Sequence, residues 1–372
     1  MAENAPGSVG SSDHRMRGRR ERHALGITKA RLRKAALKLA AYLLGAYVVL
    51  RLIPGLEEAL ANLAHVSWLW VLGALALETL SEIGFVGSWR AIVDPQSLLD
   101  RNGHSRRMDT HVAWAQLGGG TVIPGGSLGG VGVGAWLLHR FGMPNELVAE
   151  REFNLSFLNT AVDALALIVF GLLLAAGIVP GAHDLALTLL PAVLAAGGIA
   201  GALLIARRTR AGASRMHRAH PKLGAALTTL SEAVRDTQRL LVGHRAPKAL
   251  LGAFAYLGFD VLVLWTAFLA IGAHPIPGLA VVLMAYIIGA LGGSLPLPAG
   301  IGTVGGIVGT LMLYGVAHNA AVAAVLLYQG IGMLVPVIGG GIAYLLVRRA
   351  LGSGMPGAEG RVGQATSTST PR

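Results

Sequence analysis

Four acidic residues lie inside apolar segments of the sequence, where an ionisable side chain is expensive to bury and marks a functional site. Glu78 and Glu82 are four residues apart, so they share one face of a helix. Asp163 and Asp260 lie deep within two later apolar segments, and neither has a basic neighbour in the sequence. Carboxyl groups in such positions can bind a proton or a cation, and we predict that all four couple or gate a transport process.

A second interpretation applies to the glutamate pair. Glu82 lies eight residues before Arg90, and basic residues collect at the cytoplasmic ends of membrane helices. The pair would then lie near the membrane interface, with its charge neutralised by Arg90 or by another basic residue. The sequence leaves both interpretations open.

Two arginines are candidates for contact with a lipid headgroup. Arg140 and Arg151 flank a turn between apolar segments, and a guanidinium fork matches the oxygen atoms of a phosphate. Asn154 follows Arg151 by three residues and is a further candidate substrate contact. The alternative is that the arginines mark the cytoplasmic side and pair with nearby acidic residues, namely Glu146, Glu150 or Glu152.

The composition indicates the environment of these groups. Of the 372 residues, 53% are hydrophobic and 13% are charged, whereas a soluble domain has about 25% charged residues. The chain has no cysteine, which excludes thiol chemistry and disulfide frameworks. The sequence has no P-loop and no zinc-protease motif, and we expect no catalytic residues, no enzyme activity, no cofactor and no metal. We therefore predict an all-α polytopic integral membrane protein.

Apolar segments recur along the chain, and several reach the length of about 20 residues that crosses a bilayer. They are 35–53, 66–88, 110–123, 128–141, 153–178, 185–206, 249–271, 279–296, 300–316 and 320–347. Basic residues concentrate in the N-terminal arm, in the loops 89–109 and 207–248 and after the last segment. We therefore predict that both termini and the loop 207–248 are cytoplasmic. The net charge of +12 then reflects topology and contact with anionic phospholipids, with no nucleic acid as partner.

The same pattern defines the predicted domains. A basic cytoplasmic arm covers 1–34, a transmembrane domain covers 35–350, and a disordered tail covers 351–372. Within the transmembrane domain, halves at about 66–206 and 249–350 are joined by the basic loop 207–248.

Each half contains a similar proline-glycine break between two short apolar segments. The stretches 123–134 and 297–308 carry these breaks, and each precedes an aromatic-glycine turn and a long apolar segment. Because the charge pattern makes the first unit begin inside and the second begin outside, we predict an inverted-topology repeat. The predicted fold has six full transmembrane helices plus two re-entrant hairpins, or eight or more spans if each unit crosses three times.

The two breaks are also the predicted substrate site. Non-helical backbone at membrane depth must be buried in protein or line a wet cavity, and helix N-termini that follow such breaks favour anions. The predicted substrate-binding residues of the breaks are Pro124, Gly125, Gly126, Pro298, Gly300 and Gly302. The competing interpretation is close helix packing through small residues.

The order and spacing of these motifs carry a resemblance to a known family. The relevant residues are Trp89-Arg90, Ile123-Pro124-Gly125-Gly126, Glu150-Arg151, Leu297-Pro298-Ala299-Gly300-Ile301-Gly302, and Pro336 with Gly339-Gly340. Over about 40–350 the chain resembles the flippase-like family related to the transmembrane region of lysylphosphatidylglycerol synthase. It departs from the family pattern at Asn154, where an acidic residue is usual, and at Gln329, where an Arg is frequent. The resemblance implies lipid translocation or lipid-linked handling, without the soluble aminoacyl-transfer domain of the bifunctional synthases.

These observations predict a lipid flippase-like protein of the cytoplasmic membrane that moves or handles an anionic phospholipid or a lipid-linked intermediate. One alternative is a proton- or ion-coupled transporter of a small solute that uses Glu78 and Glu82. Another is an accessory protein that binds enzymes of cell-envelope synthesis and transports nothing itself. The sequence does not predict the oligomeric state.

Overall fold

A computed structural model describes residues 66–95, 99, 107–123, 127–181, 184–219, 243, 245–291 and 301–353. Within these ranges the regular structure is entirely helical. The helices are α1 (Trp68–Ile92), α2 (Met108–Val122), α3 (Ser127–Arg140), α4 (Asn145–Ala175), α5 (Leu185–Ala219), α6 (Ala246–Ala270), α7 (Leu279–Ala290), α8 (Ile301–Leu313) and α9 (His318–Ser353). The predicted segment 35–53, the basic arm and the tail beyond residue 353 lie outside the described residues.

Helix length divides these elements into two classes. Five helices, α1, α4, α5, α6 and α9, contain stretches that are long and apolar enough to cross a membrane. Helices α2, α3, α7 and α8 have only 15, 14, 12 and 13 residues. At 1.5 Å per residue they extend about 18–23 Å, which is less than the roughly 30 Å hydrocarbon core. The prediction of a polytopic α-helical membrane protein is confirmed.

Several helix boundaries differ from the predicted apolar segments. Helix α4 begins at Asn145, not at 153, and α5 continues to Ala219, well past 206. Both extensions carry charged residues that favour helix but lower hydropathy, so an apolar pattern does not detect them. Helix α7 ends at Ala290, before the predicted 296, and is therefore too short to cross a bilayer alone.

Helices α1 and α6 form a close antiparallel pair. At one end, the Ser67 amide before α1 donates a hydrogen bond of 2.8 Å to the carbonyl of Ala270 at the end of α6. In the middle, a Cβ on Gly84 would lie 2.7 Å from the Tyr256 amide nitrogen, and a Cβ on Gly252 would lie 2.7 Å from the Gly84 carbonyl oxygen. Glycine at both positions therefore lets the two backbones touch.

The four short helices form two helical hairpins. In the first hairpin, α2 and α3 are antiparallel, because Gly119 faces Val133 while Ile123, near the tip, faces Gly129. In the second hairpin, α7 and α8 pack so closely that a Cβ on Gly289 would clash with the Ile307 amide nitrogen. The proline-glycine breaks lie between the helices of each hairpin, outside the described residues except for Gly302 in the first turn of α8.

The two hairpins enter the bundle from opposite ends. The first begins where Arg90, at the end of α1, pairs with Asp109. The second ends at Tyr314, whose hydroxyl donates a 2.8 Å hydrogen bond to the carbonyl of Leu187 at the start of α5. Helix α4 connects these ends, because it begins at the turn after the first hairpin and ends at the turn before α5. An inverted-topology repeat predicts this opposed arrangement; the depth of the hairpins in a membrane stays a prediction.

Matching turns connect each hairpin to its long helix. Gly142 and Gly315 both have positive φ, at 87° and 85°. After each glycine the next amide, of Met143 or Val316, returns to a carbonyl five residues earlier, as in a Schellman turn. Glycine is suited to this left-handed conformation because it has no Cβ. The two predicted aromatic-glycine turns therefore share one geometry, which Gly177 after α4 and Gly272 after α6 also adopt, so it is a common helix ending in this protein.

Candidate functional site

Asp260 is a buried carboxylate held by two tyrosine hydroxyl groups. It lies midway along α6 and is 7% exposed. The hydroxyl of Tyr286 on α7 donates a hydrogen bond of 2.5 Å to its Oδ2 atom. Tyr328 on α9 also forms a side-chain hydrogen bond with Asp260, and its ring contacts that of Tyr286 edge to face at 6.2 Å. One acidic side chain therefore links α6 to the second hairpin and to the last long helix.

Glu78 and Glu82 on α1 face the same interior region. Each is 4% exposed, and each interacts electrostatically with Asp260. Asp163 on α4, which is half-buried, interacts with Asp260 as well. We call Glu78, Glu82, Asp163 and Asp260 the acidic cluster. The structure thus brings together, from three long helices, the four acidic residues that the sequence singled out.

Two carboxylate oxygens of the acidic cluster lack a hydrogen-bond partner. They are Oε2 of Glu78 and Oε2 of Glu82, both buried. In the described residues no basic side chain forms a salt bridge with any member of the cluster. An isolated charged carboxylate in an apolar interior is strongly disfavoured, so such groups either carry a proton or meet a cation.

The predicted alternative partner of the glutamates has a different role. Arg90 does not neutralise Glu82; its Nε atom pairs with Oδ2 of Asp109 at 2.5 Å. Eight residues along a helix extend about 12 Å, which places Arg90 two turns away from Glu82. The structure therefore provides no support for an interfacial pair neutralised by Arg90.

A second polar group ties the first hairpin to the bundle. The indole N–H of Trp89 on α1 donates to Oε1 of Gln116 on α2 at 2.8 Å. The Gln116 amide donates in turn to Oε2 of Glu152 on α4 at 2.7 Å. All three side chains are buried, and we call them the hairpin network. Because a buried polar group left without a partner is costly, this network fixes α2 against α1 and α4.

The two candidate arginines have separate environments. Arg140, at the exposed end of α3, lies 5.3 Å above the centre of the Trp136 ring. Arg151 is half-buried, and its Nη1 atom donates a 2.6 Å hydrogen bond to the carbonyl of Val93 after α1. Asn154 is buried on α4. Each arginine thus has a contact of its own, and their predicted role at a headgroup stays a prediction.

Arg151 also has the acidic neighbours that the alternative interpretation expected. It interacts electrostatically with Asp94 and with Glu150. Glu150 precedes it directly, whereas Asp94 comes from the end of α1 and could not be identified from local spacing. The two interpretations are compatible, since a guanidinium group has five N–H donors.

Some of the polar residues described above had no signal in the sequence. Tyr286 and Tyr328 lie in apolar segments. Tyrosine is common at membrane interfaces, so its presence in such a segment does not indicate a buried hydrogen bond. Gln116 lies in a predicted short segment, and only its contacts show that it is buried between two partners. Among the described residues, no three His, Asp or Glu side chains lie close enough together to hold a metal ion.

Of the predicted site residues in the breaks, only Gly302 can be located. It is half-buried in the first turn of α8. Pro124, Gly125, Gly126, Pro298 and Gly300 lie outside the described residues. Their role in substrate binding stays a prediction.

Comparison with known proteins agrees with this geometry. The family model described as the lysylphosphatidylglycerol synthase TM region matches residues 36–340. No curated protein and no solved structure matches the chain. The matched range contains both hairpins, the hairpin network and the whole acidic cluster. The chain therefore belongs to the family of the lysylphosphatidylglycerol synthase transmembrane region.

Proposed function

We propose that the protein is a lipid translocator of the cytoplasmic membrane, with both termini on the cytoplasmic side, that moves an anionic phospholipid or a lipid-linked intermediate between leaflets. The single observation that carries this proposal is the pair of hairpins that enter the bundle from opposite ends. Transporters built from inverted repeats expose a central site to each side in turn. Membership in a membrane family named for a lipid synthase makes a lipid the best-supported substrate.

The orientation of the hairpin helices supports an anionic headgroup. Helices α3 and α8 both begin just after a break, near the tip of their hairpin. The N-terminus of a helix carries partial positive charge and free amide groups, which attract phosphate oxygens. Arg151 lies at the open end of the first hairpin and supplies a full positive charge there. We propose that this end of the bundle faces the cytoplasm. The acidic cluster then serves in gating or coupling, and the protein performs no covalent chemistry and needs no cofactor.

Lipid movement in liposomes tests this function. The purified protein is reconstituted with a fluorescent anionic phospholipid, and a membrane-impermeant quencher reports how fast the inner-leaflet probe reaches the outside. We expect movement well above that of protein-free liposomes, and a roughly tenfold slower rate for Arg151→Gln, equivalent to about 1.4 kcal/mol in the barrier. Arg348→Gln is the matched control, because Arg348 is an exposed arginine near the end of α9. Wild-type protein that moves no lipid would refute the proposal.

The acidic cluster favours a second candidate function, a proton- or ion-coupled transporter of a small solute. Two buried carboxylate oxygens without partners are typical of a site that takes up a proton. In this case the wild-type protein in liposomes carries a proton or ion flux and moves no lipid. Glu78→Gln should abolish that flux. If the protein moves neither lipid nor ions and co-purifies with an enzyme of envelope synthesis, it is an accessory protein.

A further inference from the structure

We propose that Glu78, Glu82 and Asp260 form one proton-binding site inside the bundle, and that Tyr286 carries its protonation state to the second hairpin. This inference deepens the proposed function, since it names the ion whose gradient drives lipid movement. The proton-binding site itself can be tested without any lipid transport.

The groups that face this site come from five helices. They are Glu78 and Glu82 from α1, Asp163 from α4, Tyr256 and Asp260 from α6, Tyr286 from α7 and Tyr328 from α9. All of them are carboxyl or phenol groups, and in the described residues no lysine, arginine or histidine forms an ion pair with them. Full ionisation would therefore place several like charges together in a medium that screens them poorly.

A count of hydrogen-bond donors locates the protons. A tyrosine hydroxyl has one O–H to donate, and Tyr286 directs it to Oδ2 of Asp260. Asp260 thus accepts a donated hydrogen bond, which stabilises its ionised form more than its neutral form. Glu78 and Glu82 receive no donor at Oε2. A proton on that oxygen makes each glutamate neutral and removes the cost of a buried charge that no donor compensates.

The spacing of the carboxyl groups favours a proton over a metal cation. A metal ion needs several oxygen ligands within about 2.6 Å. No three carboxyl or imidazole groups in the described ranges are close enough together for that. A proton needs only one carboxylate oxygen, and neighbouring groups influence it through their charge.

Tyr286 provides a route from the proton to the motion of the protein. Helices α1 and α6 pack backbone to backbone at Gly84 and Gly252. Glu78 and Asp260 therefore belong to one closely packed pair of helices. Tyr286 belongs to the second hairpin and reaches across to Asp260. When water on one side gives a proton to Asp260, an O–H bond forms on the carboxylate, and the charge-assisted hydrogen bond from Tyr286 becomes a weaker neutral one, because a neutral carboxyl group still accepts. When the proton leaves to water on the other side, the stronger charge-assisted bond returns.

Infrared difference spectroscopy on the purified protein in lipid nanodiscs tests the site directly. A pH step should change the C=O stretching band of protonated carboxyl groups. We expect a large part of this band change to disappear in Glu78→Gln and in Glu82→Gln. In Asp260→Asn we expect the band change to persist but to occur at a different pH. Glu146→Gln is the matched control, because Glu146 is an exposed glutamate on α4 outside the cluster. A band change unaltered by all three cluster variants would overturn the proposal, and so would a sodium titration at constant pH that reproduces it.

A transport measurement separates this proposal from the proposed function. In liposomes, a gradient of one pH unit should shift the leaflet distribution of the lipid about tenfold per coupled proton, or about 1.4 kcal/mol. Glu78→Gln should abolish this shift, and Glu146→Gln, which lies outside the cluster, should retain it. If the infrared changes appear and no lipid moves, the proton site stands and the lipid function fails. If lipid moves and the cluster variants leave both the band and the gradient response unchanged, the proton site fails alone.

Discussion

Replacement of Gly340 by alanine should weaken the contact between the first hairpin and α9. A Cβ at this position would lie 2.6 Å from the Gly118 Cα atom and 2.6 Å from the Trp114 carbonyl oxygen. Both are backbone atoms, which cannot rotate away as a side chain does. Since carbon atoms pack best at about 3.5–4.0 Å, α2 and α9 must separate by roughly 1 Å. Overpacking of this kind destabilises a protein by about 1–3 kcal/mol.

The neighbouring Gly341 supplies a matched control. A Cβ there meets nothing within 4 Å, and alanine in a helix is favoured over glycine by about 0.8–1.0 kcal/mol. Because both variants gain this preference, the difference between them isolates the steric effect at about 1–3 kcal/mol. Gly340→Ala should therefore be less stable than Gly341→Ala by that amount.

Equilibrium unfolding in mixed micelles, followed by circular dichroism, measures this difference. The expected order of stability is Gly341→Ala at or above wild type, and Gly340→Ala below Gly341→Ala. Equal stability of the two variants, or greater stability of Gly340→Ala, would show that α2 and α9 do not touch as described.

Three further predictions address the cluster, the network and the topology. Tyr286→Phe removes a donor from Asp260 and should lower the free energy of unfolding by about 1–3 kcal/mol, measured in the same micelles; an unchanged value would contradict the hydrogen bond. Gln116→Leu leaves two buried partners of the hairpin network unpaired, so it should be destabilised more than Gln116→Asn, which keeps an amide that can both donate and accept; equal effects would argue against the network. In a chain without native cysteines, His274→Cys should react with an impermeant thiol reagent from outside and Arg215→Cys only from inside; the reverse pattern would invert the topology.

The acidic residues show how far the sequence leads. Their placement in apolar segments identified all four, and the four-residue spacing of Glu78 and Glu82 predicted a shared helix face. Their meeting with Asp163 and Asp260 depends on how α1, α4 and α6 pack. That packing follows from close contacts such as Gly84 against Gly252, for which a single sequence contains no pairing information.

Partner choice was the least predictable part of the site. Arg90 pairs with Asp109, 19 residues away, although Glu82 is nearer in sequence. Helix geometry explains this outcome, because residues eight apart are two turns apart, while the start of α2 folds back onto the end of α1. The hairpins were more predictable. A proline-glycine break ends a helix, and two apolar segments that are each too short to cross a membrane then favour a helical hairpin.

The central claim is that this bundle moves lipid and that its acidic cluster takes part. The most direct test compares lipid movement in liposomes for wild type, Asp260→Asn and the matched variant Asp184→Asn, because Asp184 is an exposed acid before α5. We predict that Asp260→Asn slows gradient-driven movement about tenfold, or about 1.4 kcal/mol in the barrier, while Asp184→Asn leaves it unchanged. Equal rates for all three proteins would contradict the claim.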